Sequence, residues 1–109
     1  SIMQRLVWAI KNGDIEQVKC FIEQNNVNID ELIDGRPPIV YAADYGHKDV
    51  IEYLINKGAD LEAKDRHGIT SVLAAIWENH IDCVKLLLEK GASKNGTTPD
   101  GSGYEQATQ

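Results

Sequence analysis

Displaced by 33 positions, the chain falls on itself. Gly35, Gly68 and Gly101 coincide, as do His47 and His80, Asp49 and Asp82, Lys57 and Lys90, Gly58 and Gly91, Ala59 and Ala92. Apolar character follows the same register, pairing Ile39 with Val72, Val40 with Leu73, Val50 with Cys83, Ile51 with Val84, Leu54 with Leu87 and Ile55 with Leu88. Upstream, Gly13 falls on Gly46, Val18 on Ile51, Phe21 on Leu54 and Ile22 on Ile55. So many matches without a gap define a tandem repeat. A unit this short cannot bury an apolar face alone, so its copies must stack on one another.

Within one unit the pattern is a turn followed by two short helices. Asp65-Arg66-His67-Gly68 is turn chemistry, Thr70 is placed to cap a helix, and Val72, Leu73, Ala75 and Ile76 recur at helical spacing. Glu78-Asn79-His80 interrupts that helix. A second helix carries Val84, Leu87 and Leu88 on one stripe and ends at Gly91. In the preceding unit Pro37 and Pro38 sit at a helix start, where a missing N–H costs nothing, and Gly58 closes the second helix. The spacing predicts helices near 3–11, 15–24, 38–45, 49–56, 71–78 and 82–89. The fold class is all-α: a solenoid of three helix-turn-helix repeats, about 2–34, 35–67 and 68–100, with a partial fourth at 101–109. The 109 residues form one domain.

The two ends depart from the pattern. Asn25-Asn26-Val27-Asn28 replaces the Gly58-Ala59-Asp60 ending, which marks a terminal unit with one face in water. The tail from Asn95 starts a fourth turn at Thr98-Pro99-Asp100-Gly101 but places Glu105 where Ile39 and Val72 sit. The face around Leu86–Leu88 is therefore expected to be poorly covered and the C-terminus frayed.

Composition narrows the function. Eleven Lys and Arg against 17 Asp and Glu give a net charge of −6, which opposes non-specific binding to nucleic acid and anionic membranes and suits a basic protein partner. No apolar run reaches the roughly 18 residues of a membrane span, and no secretory signal is visible at the start. Cys20 and Cys83, 63 residues apart, form no metal spacing or disulfide framework and point to a reducing compartment, cytoplasmic or nuclear.

A Gly followed by an Ala-Ala pair, then Gly46-His47 and a closing Gly58-Ala59-Asp60, resembles the ankyrin repeat. Gly35-Arg36-Pro37-Pro38-Ile39 and Gly68-Ile69-Thr70-Ser71-Val72 resemble its Gly-x-Thr-Pro-Leu signature, with Pro37 in place of Thr and Ser71 in place of Pro. Trp8-Ala9-Ile10-Lys11-Asn12-Gly13-Asp14, Tyr41-Ala42-Ala43-Asp44 and Cys83-Val84-Lys85-Leu86-Leu87-Leu88 are similar to a small actin-regulating branch of that family. This resemblance implies a non-enzymatic, monomeric interaction protein that binds the heterodimeric actin capping protein (CapZ) and inhibits capping of filament barbed ends. A divergent or engineered scaffold would bind another protein instead, such as a transcription factor or a kinase.

The resemblance also implies where a partner docks: a concave face built from hairpin tips and the exposed side of each first helix. The register makes Trp8, Tyr41 and Ala74 equivalent, then Lys11, Asp44 and Trp77, then Asn12, Tyr45 and Glu78. Hairpin tips add Asp34, Arg36, Arg66 and His67. Trp8, Tyr41, Tyr45 and Trp77 are four of the seven aromatics, and Trp and Tyr supply large contact area at low entropy cost. The candidate partner-binding residues are Trp8, Asp44, Tyr45, Trp77, Glu78, Tyr41, Lys11, Arg36 and Arg66. Trp8 and Tyr41 have an alternative role, packed between adjacent helices.

Other signals dissolve on inspection. His47 and His80 recur in register, which marks an architectural role, and His67 lies in an exposed hairpin; none has a second ligand at metal spacing. Cys20 and Cys83 are expected to be apolar packing thiols without a histidine partner for nucleophilic chemistry. Asp14, Asp49 and Asp82 recur at second-helix starts, where the helix N-terminus favours them. Asn95-Gly96-Thr97 matches a glycosylation sequon that needs a secretory route to be used. No catalytic residue, metal or cofactor is expected.

Overall fold

The computed structural model describes residues 1–96 and 98–107. Its helical segments are α1 (Met3–Lys11), α2 (Ile15–Asn25), α3 (Pro38–Asp44), α4 (Lys48–Asn56), α5 (Ser71–Trp77), α6 (Ile81–Glu89) and the short α7 (Tyr104–Ala107). The first six match the expected segments to within one residue at each end. No strand forms among the described residues; isolated bridges between Ile33 and Arg36 and between Lys64 and Thr70 close the loops separating successive helix pairs. Thr97, the last residue of the sequon, lies outside the described residues.

The helices form two layers. α3 packs between α1 and α5, and α4 between α2 and α6. The first-helix layer is tight because Ala9, Ala42 and Ala75 share one register position and are all buried. Leu6, Ile39 and Val72 fill the next position, and Val18, Val50, Ile51, Leu54 and Leu87 fill the second layer, each at most 1% exposed. Helices this short are marginal alone in water, so stacking carries the stability.

The three-residue turn inside each pair is fixed by backbone geometry. Gly13, Gly46 and Asn79 occupy equivalent positions with φ of 66°, 77° and 60°. The ring of His47 lies directly on Gly13 and that of His80 on Gly46, so close that a Cβ on either glycine would come within 2.5 Å of Nδ1. Each ring also reaches back to the preceding unit. His47 Nε2 lies 2.8 Å from the Lys11 carbonyl oxygen, and His80 Nε2 lies 3.1 Å from that of Asp44. The repeated histidines thus staple one unit to the next, the architectural role their register implied.

Helix starts are built as expected. Thr70 Oγ1 accepts the Leu73 N–H at 3.3 Å, Asp14 Oδ1 accepts the Gln17 N–H at 3.2 Å, and Pro38 opens α3. Ser71 occupies the Pro38 position in α5, and its hydroxyl is buried without a hydrogen-bond partner. Thr70 is extended, with φ −92° and ψ 169°, the conformation that a residue before proline requires. Ser71→Pro removes the orphan hydroxyl and restricts the unfolded chain, and should stabilise the protein by about 1 kcal/mol. Thermal unfolding should show a midpoint several degrees higher; a lower midpoint would mean the pyrrolidine ring does not fit.

Two expectations are corrected. Cys20 is exposed, because the buried stripe of α2 runs through Val18, Phe21 and Ile22 and leaves Cys20 beside it; Cys83 is buried as expected. Burial and the adjacent Asp82 push the Cys83 thiol up to about 11, which keeps it protonated and unreactive. The described part of the tail, residues 98–107, is also more ordered than its composition suggests. Thr98 bonds to Asp100 and Ser102 in a compact turn, and α7 docks on α5 with Tyr104 buried and its hydroxyl bonded to Thr70 Oγ1. One aromatic ring anchors this segment where no aliphatic residue was available.

Candidate protein-interaction face

The candidate residues sort into three places along the first-helix layer and one hairpin tip. At the centre, Tyr41 is buried, 4% exposed, and its hydroxyl donates to the Ile33 carbonyl at 2.7 Å. Burial raises its phenol above the usual range, with Arg36 opposing. It therefore offers little contact area and acts as a pedestal. The Arg36 guanidinium sits 5.3 Å from its ring centroid and Lys11 Nζ 5.8 Å. Lys11 also lies 5.6 Å from the ring of Tyr45, which is 41% exposed. The buried ring thus sets the position of two cations that border the face.

Beside this lies a concavity of about 200 Å³ shared by the second and third units. Arg36, Asp44, Trp77 and Glu78 line it over a floor of Val40, Ile69 and Ala74. Arg36 Nη1 is 3.6 Å from Asp44 Oδ2, a partly exposed pair worth little in stability. Trp77 remains 49% exposed although it ends a core-packed helix. Four of the nine candidates therefore meet in one depression. Ile69 was not among the expected face residues. It is the register mate of Arg36, and that equivalence was the available signal.

Asp44 is partly desolvated here, and that burial raises its carboxyl above the ordinary value of 3.8; Glu78 adds to the effect and Arg36 opposes it. The sign follows. The folded state holds the Asp44 proton more tightly than the unfolded chain, so this carboxylate works against folding at neutral pH. That penalty fades as pH falls through the raised value. Asp44→Asn should leave stability at pH 7 unchanged or slightly higher, and should flatten its dependence on pH just above 3.8. Urea titrations at a series of pH values check this; a clear loss of stability at pH 7 would show that the pair with Arg36 outweighs desolvation.

Trp8 stands apart. It is 60% exposed and, with Gln4, Arg5, Gln17 and Phe21, borders a separate groove of about 600 Å³ at the N-terminal end of the stack. Its register mates Tyr41 and Ala74 are buried, each on a helix that packs against the first helix of the preceding unit. Arg66 is exposed at a hairpin tip. Its stem lies over Gly35, and its N–H donates to the Gly35 carbonyl at 2.9 Å, linking successive tips. Among the described residues no three His, Cys, Asp or Glu side chains converge as a metal site, and no helix is long and apolar enough to cross a membrane.

Comparison with known proteins agrees with this architecture. The chain is 46% identical over 58 residues to myotrophin of Xenopus tropicalis, a match covering 52% of this chain and 48% of that protein. It is 38% identical over 88 residues to serine/threonine-protein kinase 12 of Arabidopsis thaliana, covering 81% of this chain and 19% of the kinase. It is 34% identical over 101 residues to ankyrin repeat and SAM domain-containing protein 6 of Mus musculus, covering 85% and 11%. The chain thus spans about half of myotrophin and a fifth or less of the other two. A family model of ankyrin repeats matches three copies across residues 6–98. With three stacked helix pairs, histidine staples and an exposed first-helix face, the chain belongs to the ankyrin-repeat family of protein-interaction modules.

Proposed function

We propose that this protein is a cytoplasmic, non-enzymatic regulator that binds the heterodimeric actin capping protein and keeps it from filament barbed ends. The observation that carries the reading is the grouping of Trp77, Glu78, Asp44 and Arg36 in one concavity beside Tyr45. A half-exposed indole flanked by carboxylates is suited to a basic protein surface, and the net charge of −6 adds long-range attraction. The likeness to myotrophin over about half the chain supports the choice of partner.

The test is titration of the purified protein into capping protein while barbed-end actin growth is followed. Dose-dependent restoration of growth, weakened by added salt, is the expected result. Unchanged capping at saturating protein would exclude this partner. The longer matches to proteins other than myotrophin favour a different client in that event.

A further inference from the structure

Asn95 and Gly96, the first two residues of the sequon, form one of four pairs in which Asn or Asp precedes glycine; the others are Asn12-Gly13, Asp34-Gly35 and Asp100-Gly101. Glycine matters here because no Cβ hinders its nitrogen from folding back on the preceding side chain. At an Asn-Gly pair that nitrogen can displace the side-chain amide. A carboxylate is a much weaker electrophile, so the two asparagines are the reactive candidates, and the fold decides between them.

Asn12-Gly13 is locked. Asn12 caps the end of α1 with φ −87° and ψ −4°. Its side-chain nitrogen donates to the Trp8 carbonyl at 2.7 Å, and the Gly13 N–H donates to the Ile10 carbonyl at 3.0 Å. The His47 ring covers Gly13. Both reacting groups would have to leave their partners before the nitrogen could meet Cγ.

Asn95-Gly96 has no such restraint. It lies beyond the end of α6, outside any helix, and Asn95 is exposed. Neither the Asn95 side-chain amide nor the Gly96 N–H makes a hydrogen bond among the described residues. Glu62, the register mate of Asn95, is exposed although a further helix pair packs after it, so exposure belongs to the slot. The other side of Gly96 is anchored. Its carbonyl accepts the Tyr104 N–H at 3.2 Å, and a Cβ on Gly96 would come within 2.5 Å of the Tyr104 hydroxyl oxygen.

We infer that Asn95 is a site of spontaneous deamidation and that the fold protects Asn12 from the same reaction. The Gly96 nitrogen attacks Cγ of Asn95. The N–Cγ bond closes a succinimide, the Cγ–Nδ2 bond breaks, and the proton lost by Gly96 returns through water to the departing ammonia. Water then opens the ring at either carbonyl. Opening at Cγ leaves aspartate; opening at the main-chain carbonyl leaves isoaspartate, with an extra carbon in the backbone. Water is the only co-reactant. Isoaspartate shifts Gly96 against the ring of Tyr104, whose bond to Thr70 holds α7 on α5, so the modification loosens α7. The inference is independent of the proposed partner.

The test holds the purified protein at neutral pH and body temperature, then maps its peptides by mass spectrometry, with isoaspartate marked by enzymatic methylation. Aspartate and isoaspartate should accumulate at position 95 roughly tenfold faster than at position 12, or more, because Asn12 reacts only after local opening. In urea the two pairs should convert at similar rates. In the aged protein the Tyr104 amide should exchange its hydrogen faster than in fresh protein. Asn95→Gln, whose longer side chain disfavours the ring, should suppress both changes. Equal conversion at the two pairs in the folded protein, an Asn12 that stays slow in urea, or no conversion at Asn95 would overturn the inference. Unchanged Tyr104 exchange after full conversion would overturn the loosening of α7.

Discussion

Gly46→Ala should lower the unfolding midpoint by roughly 15 °C, a loss of about 3 kcal/mol. Two costs add at this residue. Its φ of 77° lies in the left-handed region, where a Cβ costs roughly 1–2 kcal/mol. The new methyl would also sit 2.5 Å from Nδ1 of His80, so the ring must leave. Displacing it breaks the bond between His80 Nε2 and the Asp44 carbonyl, worth about 1 kcal/mol, and loosens the join between the second and third units. Gly58→Ala is the matched comparison: φ is 92°, but nothing lies within 4 Å of the added carbon, so only the backbone cost applies. Gly46→Ala combined with His80→Ala should lose less than the sum of the two single changes, because the clash is gone. Equal losses for Gly46→Ala and Gly58→Ala, measured by thermal unfolding, would show that the histidine staple contributes nothing.

The same position explains how much of the fold was legible in the sequence. The 33-residue register placed six helices to within a residue because each boundary is set by local chemistry: Pro38, Gly58 and Gly91 act through their own backbone and Thr70 through its hydroxyl. It also flagged His47 and His80 as architectural, though not their targets, since a bond to a carbonyl 36 residues upstream is a property of the stack. Asn79 shows the limit from the other side. It takes the left-handed conformation of Gly13 and Gly46 while carrying a side chain, and it borders the groove lined by Ile76, Ile81 and Tyr104.

The face was legible only in outline. Register equivalence put Trp8, Tyr41 and Ala74 in one class, yet Trp8 is exposed at an end groove while Tyr41 is a buried pedestal. Equivalence in sequence fixes a slot, and the neighbours packed against that slot fix its burial. Tyr104 makes the same point in the tail. Sequence comparison weighed the unfavourable Glu105 position, whereas the structure anchors the segment one residue earlier, through an aromatic ring over Thr70.

Trp77→Ala should weaken binding to capping protein by about 2 kcal/mol, close to 30-fold in Kd, with almost no change in stability. The separation follows from position. The indole ends α5, is half exposed, and lines the concavity without filling the core, so truncation deletes docking area and leaves no internal void. Around it, Asp44 and Glu78 supply negative potential while Arg36 borders the same depression. Asp44→Asn should therefore act mainly on the association rate and its salt dependence, and Trp77→Ala mainly on dissociation. Trp8→Ala measures reach: a comparable loss would extend the contact to the N-terminal groove, while a small one would confine it to the second and third units. Stopped-flow association and dissociation rates for the three variants, with matched unfolding curves, decide the matter. Full affinity in both tryptophan variants would remove the concave face from the interaction altogether.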